Sequence, residues 1–471
     1  MGIKAPPRAG MPLDSPFIEP SKVDAPAWLV LLALCGTSFT TNVVISLIAP
    51  FVPQHFELLG LSQAWCGVIF SAFPAAMLLS SPFVVMAIFW WGRVPVLVVG
   101  LVLQCLTSLS FGYADDLTGG AQVMPGAALV IFTASRVGCG IGGACSSNAV
   151  FAIAADRFPD ALGRVMGLNE VIIGVGFTLG PPIGAALNDA GGFGMPFLVA
   201  SVALLAVVPA ALALRRWHRA RESGANDASV SENQGTGGAE MADSLTRGLL
   251  VAGGSLFLGT VIFGAVEANL SLHLLHEVGV PSRGIGTMFA VLAVAYALAG
   301  PLVGAAADRY GALRVSTLGS LAAGLSMVLL GWSPAALVSV PGRIAYETVA
   351  LTVLGIMQAA TLIPSLPAMK DAVGDGDSSA TQGVVAWFNI FMQLGSMVGP
   401  ICGAALVAAV RFSTAMSCIG GAVALYGAFA TMYAFSAQEL RQSHLSKSSA
   451  DSHMRVRTLS GLAPTPRKLS A

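Results

Sequence analysis

Leu168-Asn169-Glu170-Val171-Ile172-Ile173-Gly174-Val175-Gly176-Phe177-Thr178-Leu179-Gly180-Pro181-Pro182-Ile183-Gly184 sets a carboxylate in an apolar run and follows it with glycines and two prolines. Gly176, Gly180 and Gly184 are four residues apart, so on a helix they share one face where another backbone can approach. Pro181 has no backbone donor and is expected to break the helix and bend its axis. The stretch therefore predicts a closely packed helix with a flexible point.

The pattern returns as Gly395-Ser396-Met397-Val398-Gly399-Pro400-Ile401-Cys402-Gly403. Gly176 and Gly395, Gly180 and Gly399, Pro181 and Pro400, and Gly184 and Gly403 are all 219 residues apart, as are Pro82 and Pro301, and Gly92 and Gly311. One register held over several elements marks a duplicated half. Two parallel repeats, each long enough for about six spans, resemble the halves of a secondary transporter of the major facilitator type.

Composition points the same way, because 55% hydrophobic and 10% charged residues leave too little polar surface for a water-soluble protein. All seven cysteines lie in apolar stretches and read as small packing residues, not as a disulfide or zinc framework. Residues 1–26 carry six prolines and no long apolar run, and read as a cytoplasmic tail without a cleavable signal. Segments able to cross a ~30 Å hydrocarbon core fall near 27–52, 64–89, 94–113, 126–154, 161–187 and 194–214. A second set falls near 247–274, 284–307, 313–333, 344–368, 381–408 and 413–435. This divides the chain into a first six-helix bundle (27–214), a polar linker (215–246), a second bundle (247–435) and a C-terminal tail (436–471).

An even number of spans puts both tails on one side. Assigning tails and even-numbered loops to the cytosol places 20 of the 24 Lys and Arg residues there; Arg283, Arg343 and Arg411 fall opposite and Arg136 is inside a helix. That bias expects both tails in the cytosol.

Charges inside spans are costly unless paired or watered, so Arg136, Glu170 and Glu267 are the residues to explain. Glu267 is read in the middle of the seventh span, Phe263-Gly264-Ala265-Val266-Glu267-Ala268-Asn269. Both glutamates fit a proton or cation site, and both also fit a neutral carboxyl bonded to a neighbouring helix. Two roles fit Arg136: a strut whose donors reach carbonyls freed by a proline, or a charge that sets when a nearby carboxylate releases its proton. His273 and His276, three residues apart, read either as a solvated helix end or as a pH sensor.

Arg136-Val137-Gly138-Cys139-Gly140-Ile141-Gly142 resembles the fourth-helix arginine motif of major facilitator drug:proton antiporters, and Gly176 to Gly184 resembles their fifth-helix antiporter motif. Asp308-Arg309-Tyr310-Gly311 is similar to their cytoplasmic loop motif, a latch in that family, although Phe89 stands where the first half would repeat Asp308. More narrowly, the chain resembles the vesicular amine transporters in Ile48-Ala49-Pro50-Phe51-Val52-Pro53, Cys145-Ser146-Ser147, Gly180 to Gly184 and Val266-Glu267-Ala268-Asn269-Leu270. The polyamine-type branch is the nearer likeness, since it too has a glutamate before the fifth-helix glycines, as Glu170 is here. Monoamine carriers have acids in helices one, ten and eleven, where this chain has Thr41 beside Asn42, Gln358 and Asn389. The resemblance covers about 28–435.

What it implies is an all-α membrane protein of about twelve transmembrane helices in two pseudo-symmetric six-helix bundles. The function expected is exchange of protons for an organic cation, a polyamine or related amine, by alternating access. The cation would sit between the halves against Glu267 and Glu170, with Arg136, Asn42, Gln358 and Asn389 nearby and Trp387, Phe388 and Phe391 offering aromatic faces. A symporter or uniporter on the same fold, or a receptor that has lost transport, are the alternatives. The sequence has no spaced metal-ligand set, phosphate loop or nucleophile motif, so no enzyme, cofactor or nucleic-acid partner is expected. A monomer in a vesicle or vacuole membrane is the expectation, rather than one at the plasma membrane.

Overall fold

The computed structural model describes residues 27–119, 125–158, 161–222, 245–332, 339–373 and 378–460. Twelve helices among them are long and apolar enough to cross a membrane, and no strand occurs among the described residues. The first six are α1 (Ala27–Ser46), α2 (Gln63–Trp91), α3 (Arg93–Gly112), α4 (Pro125–Arg157), α5 (Leu162–Gly191) and α6 (Gly194–Glu222). The second six are α7 (Arg247–His273), α8 (Ser282–Tyr310), α9 (Ala312–Gly331), α10 (Val340–Leu362), α11 (Ser378–Ala409) and α12 (Phe412–Ser460). The protein is thus an all-α, multi-pass membrane protein. Ala27, Glu222 and Arg247 stand at the linker face of the bundle, and Ser46, Gln63 and His273 lie toward the opposite, distal face.

The 219-residue repeat governs the backbone. Both ends of α2 and α8 are 219 apart, Gln63 with Ser282 and Trp91 with Tyr310, and so are both ends of α3 and α9. Between them Gly92 and Gly311 take φ values of +85° and +94°, which side chains with a Cβ rarely adopt, so the same tight turn needs glycine in each half. Packing repeats too: α1 lies on α5 as α7 lies on α11, and α3 lies on α4 and α6 as α9 lies on α10 and α12.

Lipid provides no hydrophobic drive between helices, so close backbone approach has to supply the attraction. A Cβ on Gly180 would sit 3.1 Å from the nitrogen of Leu47, the residue that follows α1, and one on Gly399 would sit 2.5 Å from the Val261 carbonyl oxygen of α7. Gly176 faces Phe39 of α1 and Gly184 faces Leu47 just past its end, as Gly395 and Gly403 face Phe257 and Ala265 of α7. The break expected at Pro181 does not occur: α5 runs on through Pro181 and Pro182, and α11 through Pro400. In a membrane bundle neighbouring helices can re-satisfy the freed carbonyls, so a proline need not end the helix.

The halves meet along two seams, α2 with α11 and α5 with α8. Gly67 of α2 abuts Ala404 of α11, and Gly286 of α8 abuts Ala185 of α5. Both the glycines and the alanines are 219 apart, so the seams are copies related by the pseudo-twofold axis. Hydrogen bonds across the interface cluster distally. Ser271 Oγ donates to the Pro50 carbonyl at 2.7 Å, Gln54 Nε2 to Ser271 Oγ at 2.9 Å, and Gln63 Nε2 to Asn269 Oδ1 at 2.8 Å. Nearer mid-helix, Ser71 Oγ donates to the Met397 carbonyl at 2.6 Å. The distal face is sealed.

Two helices run further than the spans read from hydropathy. α6 continues to Glu222 and α12 to Ser460, because neither extension contains a glycine or proline to stop it. The tail read at 1–26, linker residues 223–244 and residues 461–471 lie outside the described residues.

Candidate functional site

Glu267 lines a pocket built by both halves, with Ala49 and Pro181 from the first and Phe263, Phe289 and Gln358 among those from the second. The opening proline thus reaches the site directly. The cavity is about 20 Å³, room for about one water molecule, so the site is collapsed in this conformation. Glu267 has no hydrogen-bond or ion-pair partner among the described residues, although it is half-buried. It lies past the middle of its span, which continues beyond α7 through the π turn Leu274–Val278 and so ends eleven residues on.

Gln358 of α10 is 2% exposed. Its Nε2 donates to the Gly259 carbonyl of α7 at 3.0 Å, while Oε1 has no partner. Phe263 precedes Glu267 by one helical turn, which puts both on one face, and Phe177 of α5 meets its ring edge-on at 4.9 Å across the interface. Phe263 and Phe289 are pocket residues that sequence reasoning missed; for Phe263 the turn's spacing from Glu267 was the available signal.

Arg136 of α4 is 5% exposed, and its guanidinium lies 5.2 Å from the centre of the Phe73 ring on α2. Gly143 makes room for that ring: a Cβ there would stand 2.8 Å from Phe73 Cζ. Arg136 Nε has no hydrogen-bond partner. Arg136 and Glu267 are within electrostatic reach of one another without touching.

The other expected site residues are dispersed. Glu170 is exposed on α5, eight residues or about 12 Å from that helix's linker end, within electrostatic range of Tyr296 on α8. It therefore sits at the opposite depth from Glu267. Asn42 donates to its own helix at Ser38 (2.7 Å), and the exposed Asn389 does the same at Val385 (2.9 Å). Thr41 is buried with its hydroxyl unpartnered. Phe388, Trp387 and Phe391 pack with Leu249, Leu256 and Met369 in the second half's own core. At the linker face Asp308 and Arg309 are exposed, with Arg309 5.3 Å from the Tyr310 ring, whereas the first half pairs Arg93 with Asp156. Among the described residues no group of His, Cys, Asp or Glu is placed to hold a metal ion.

A second polar cluster lies distally in the second half. His273 is no solvated helix end: it is 4% exposed, stacked on Phe412 at 3.8 Å, and held between two carboxylates. Nδ1 is 3.0 Å from Glu277 Oε2 and Nε2 is 3.2 Å from Glu347 Oε1. Glu347 is 0% exposed, a charge that reading the spans had passed over. One turn on, in the π turn Leu274–Val278, the exposed His276 meets Glu57 of the first half at 2.8 Å.

With this geometry described, known proteins can be set beside it. The pattern of the Major Facilitator Superfamily matches residues 31–266 and again 250–464. The MFS-type transporter SLC18B1 of Mus musculus is 27% identical over 397 residues, 83% of each chain. The chromaffin granule amine transporter of Rattus norvegicus is 25% identical over 370 residues, 78% of this chain and 65% of its own. Among solved structures, a bacterial homologue of the human lysosomal transporter Spinster has the same fold, with a TM-score of 0.63 and 16% identity over 87% of this chain and 96% of that one.

Proposed function

The chain belongs to the Major Facilitator Superfamily, and from that premise we propose that it is a secondary carrier exchanging protons for an organic cation, a polyamine or related amine, by alternating access. The observation that carries the reading is Glu267: an unpaired carboxylate on a pocket made by both halves, at the depth where the distal side is sealed. A protonated Glu267 gives up its proton as an ammonium binds, so the pocket holds one cation or the other. Arg136, beside Phe73 and within electrostatic reach of that carboxylate, is the positive charge nearest to hand when the proton leaves. Rocking of the halves about the paired α2–α11 and α5–α8 seams would open the linker and distal sides in turn. The amine carrier among the relatives supports the substrate class and a vesicle or vacuole membrane, and the Lys and Arg bias of the loops supports both tails in the cytosol.

Reconstitution in liposomes with an imposed pH gradient tests this. Labelled polyamines or related amines should accumulate against their gradient, and Glu267→Gln, which keeps the shape and removes the titrating group, should abolish that accumulation. Glu170→Gln should shift apparent affinity and leave proton coupling intact. Persistence of pH-driven uptake in Glu267→Gln sinks the assignment, and its loss in Glu170→Gln alone moves the role to Glu170.

A further inference from the structure

The Gln358 amide has only one satisfied end. Nε2 is committed to the Gly259 carbonyl, and turning the amide over would set two oxygens against one another, so the hydrogen bond fixes which end is the oxygen. Oε1 is left as a buried acceptor with no donor, on the same pocket as the partnerless Glu267 carboxylate. No other side chain named on that pocket can donate a hydrogen bond: Ala49, Pro181, Ile262, Phe263, Val266, Phe289, Leu292 and Leu354 are all apolar. The pocket thus offers two unpartnered acceptors, the Glu267 carboxylate and Gln358 Oε1. A buried acceptor left unpaired is unfavourable, so what enters must bring hydrogen atoms to both groups.

Resting on the exchange reading above, we propose that Gln358 is a specificity-determining residue that selects primary and secondary ammonium ions over tertiary and quaternary ones. A primary or secondary ammonium carries at least two N–H donors, one for Glu267 and one for Gln358 Oε1. A tertiary ammonium has one, which the carboxylate takes, and Oε1 stays unpaired in a filled pocket. A quaternary ammonium has none.

The test measures binding to the purified full-length protein in detergent by calorimetry, with butylamine, N-methylbutylamine, N,N-dimethylbutylamine and butyltrimethylammonium as probes, all at a pH where the amines are protonated. Wild type should bind the first two alike and lose about tenfold or more at the step from secondary to tertiary, the worth of one charge-assisted hydrogen bond. In Gln358→Leu that step should vanish, leaving only the step from tertiary to quaternary that Glu267 imposes. Retained binding of the tertiary amine shows that this variant is folded. A variant that keeps the wild-type step between secondary and tertiary overturns the assignment of Gln358. A flat series in the wild type overturns it as well. Binding of the whole series that is unmoved by Glu267→Gln removes instead the carboxylate reading on which it rests.

Discussion

The first and second halves share a backbone and differ in what they bury. Glycines, prolines and turns recur every 219 residues, yet the charged and amide positions do not. Ile48 stands opposite Glu267 in the repeat, Cys139 opposite Gln358, Gln54 opposite His273 and Ala128 opposite Glu347, while Arg136 of the first half answers to Gly355 of the second. Glu170 and Asn389 are counterparts of which one is an acid and the other an amide. The shared residues are those that let helices approach, and the divergent ones are those that can hold a proton or a cation. A symmetric scaffold provides two equivalent seams, and the polar set laid over it is asymmetric, with Glu267 and Gln358 on the second half's side of a pocket that Ala49 and Pro181 of the first half also line.

If the scaffold is truly common, matched substitutions should do equal harm. Gly180→Leu drives a side chain onto Ser46 at the end of α1 and the Leu47 nitrogen beyond it, and Gly399→Leu drives one into the Val261 backbone of α7, so each should lose most folded protein, because overpacking against a backbone that cannot yield exceeds the usual ~1–3 kcal/mol. Size-exclusion profiles and melting in detergent read this out. Gly174→Ala, at a glycine with open space around it, is the control and should fold normally. One half tolerating leucine where the other does not would end the idea of equivalent seams.

The buried His273–Glu347 pair belongs to the second half alone, which makes it separable. Glu347→Ala leaves His273 with only Glu277 and should destabilise by about 3–5 kcal/mol, as breaking a buried pair generally does. Adding His273→Gln imports both residues of the first half, Gln54 and Ala128, and should recover most of that loss. A double-mutant cycle on melting temperature measures the coupling. Additive losses would show that the two residues are not a unit.

Much of the scaffold and part of the site were legible in the sequence. Glycines four apart, a fixed offset and long apolar runs are local patterns, so they announce the spans, the repeat and the close-packed faces directly. Glu267 and Arg136 were visible because each interrupts an apolar stretch. Glu347 was not, because Arg343-Ile344-Ala345-Tyr346-Glu347 reads as the wet end of a helix. Its burial is conferred by His273 and Tyr346's neighbours on other helices, which no local pattern encodes. The same holds for Phe388 and Phe391: an aromatic cluster signals burial, but whether it faces a cavity or its own half depends on the rotation of α11.

A smaller effect should separate the two roles open to Arg136. Its guanidinium carbon lies over the Phe73 ring, 5.2 Å from its centre, with Nε unpartnered, and lysine has no planar group to take that place. Arg136→Lys keeps the charge near Glu267 and loses the planar contact, so turnover in liposomes should fall about tenfold, ~1.4 kcal/mol in the barrier, with cation affinity changed less. Full activity would remove Arg136 from the mechanism, and a loss confined to affinity would make it a substrate contact.

The smallest effect concerns the axis itself. Glu57 and His276 are 219 apart and touch at 2.8 Å, so a residue of one half meets its own counterpart in the other, as happens only on a pseudo-twofold axis. Both side chains are about half exposed, so the bridge contributes only about 0.2–1 kcal/mol to distal closure. It is an ion pair only while His276 is protonated. Glu57→Gln and His276→Gln should each loosen distal closure slightly, measured as faster labelling, from the distal side, of a cysteine placed at Gln63. Exchanging the two residues, Glu57→His with His276→Glu, should restore it, because an axis treats its two sides alike. Failure of the exchange to restore what the single changes remove would show that the contact is not symmetric and that the halves close about a different line.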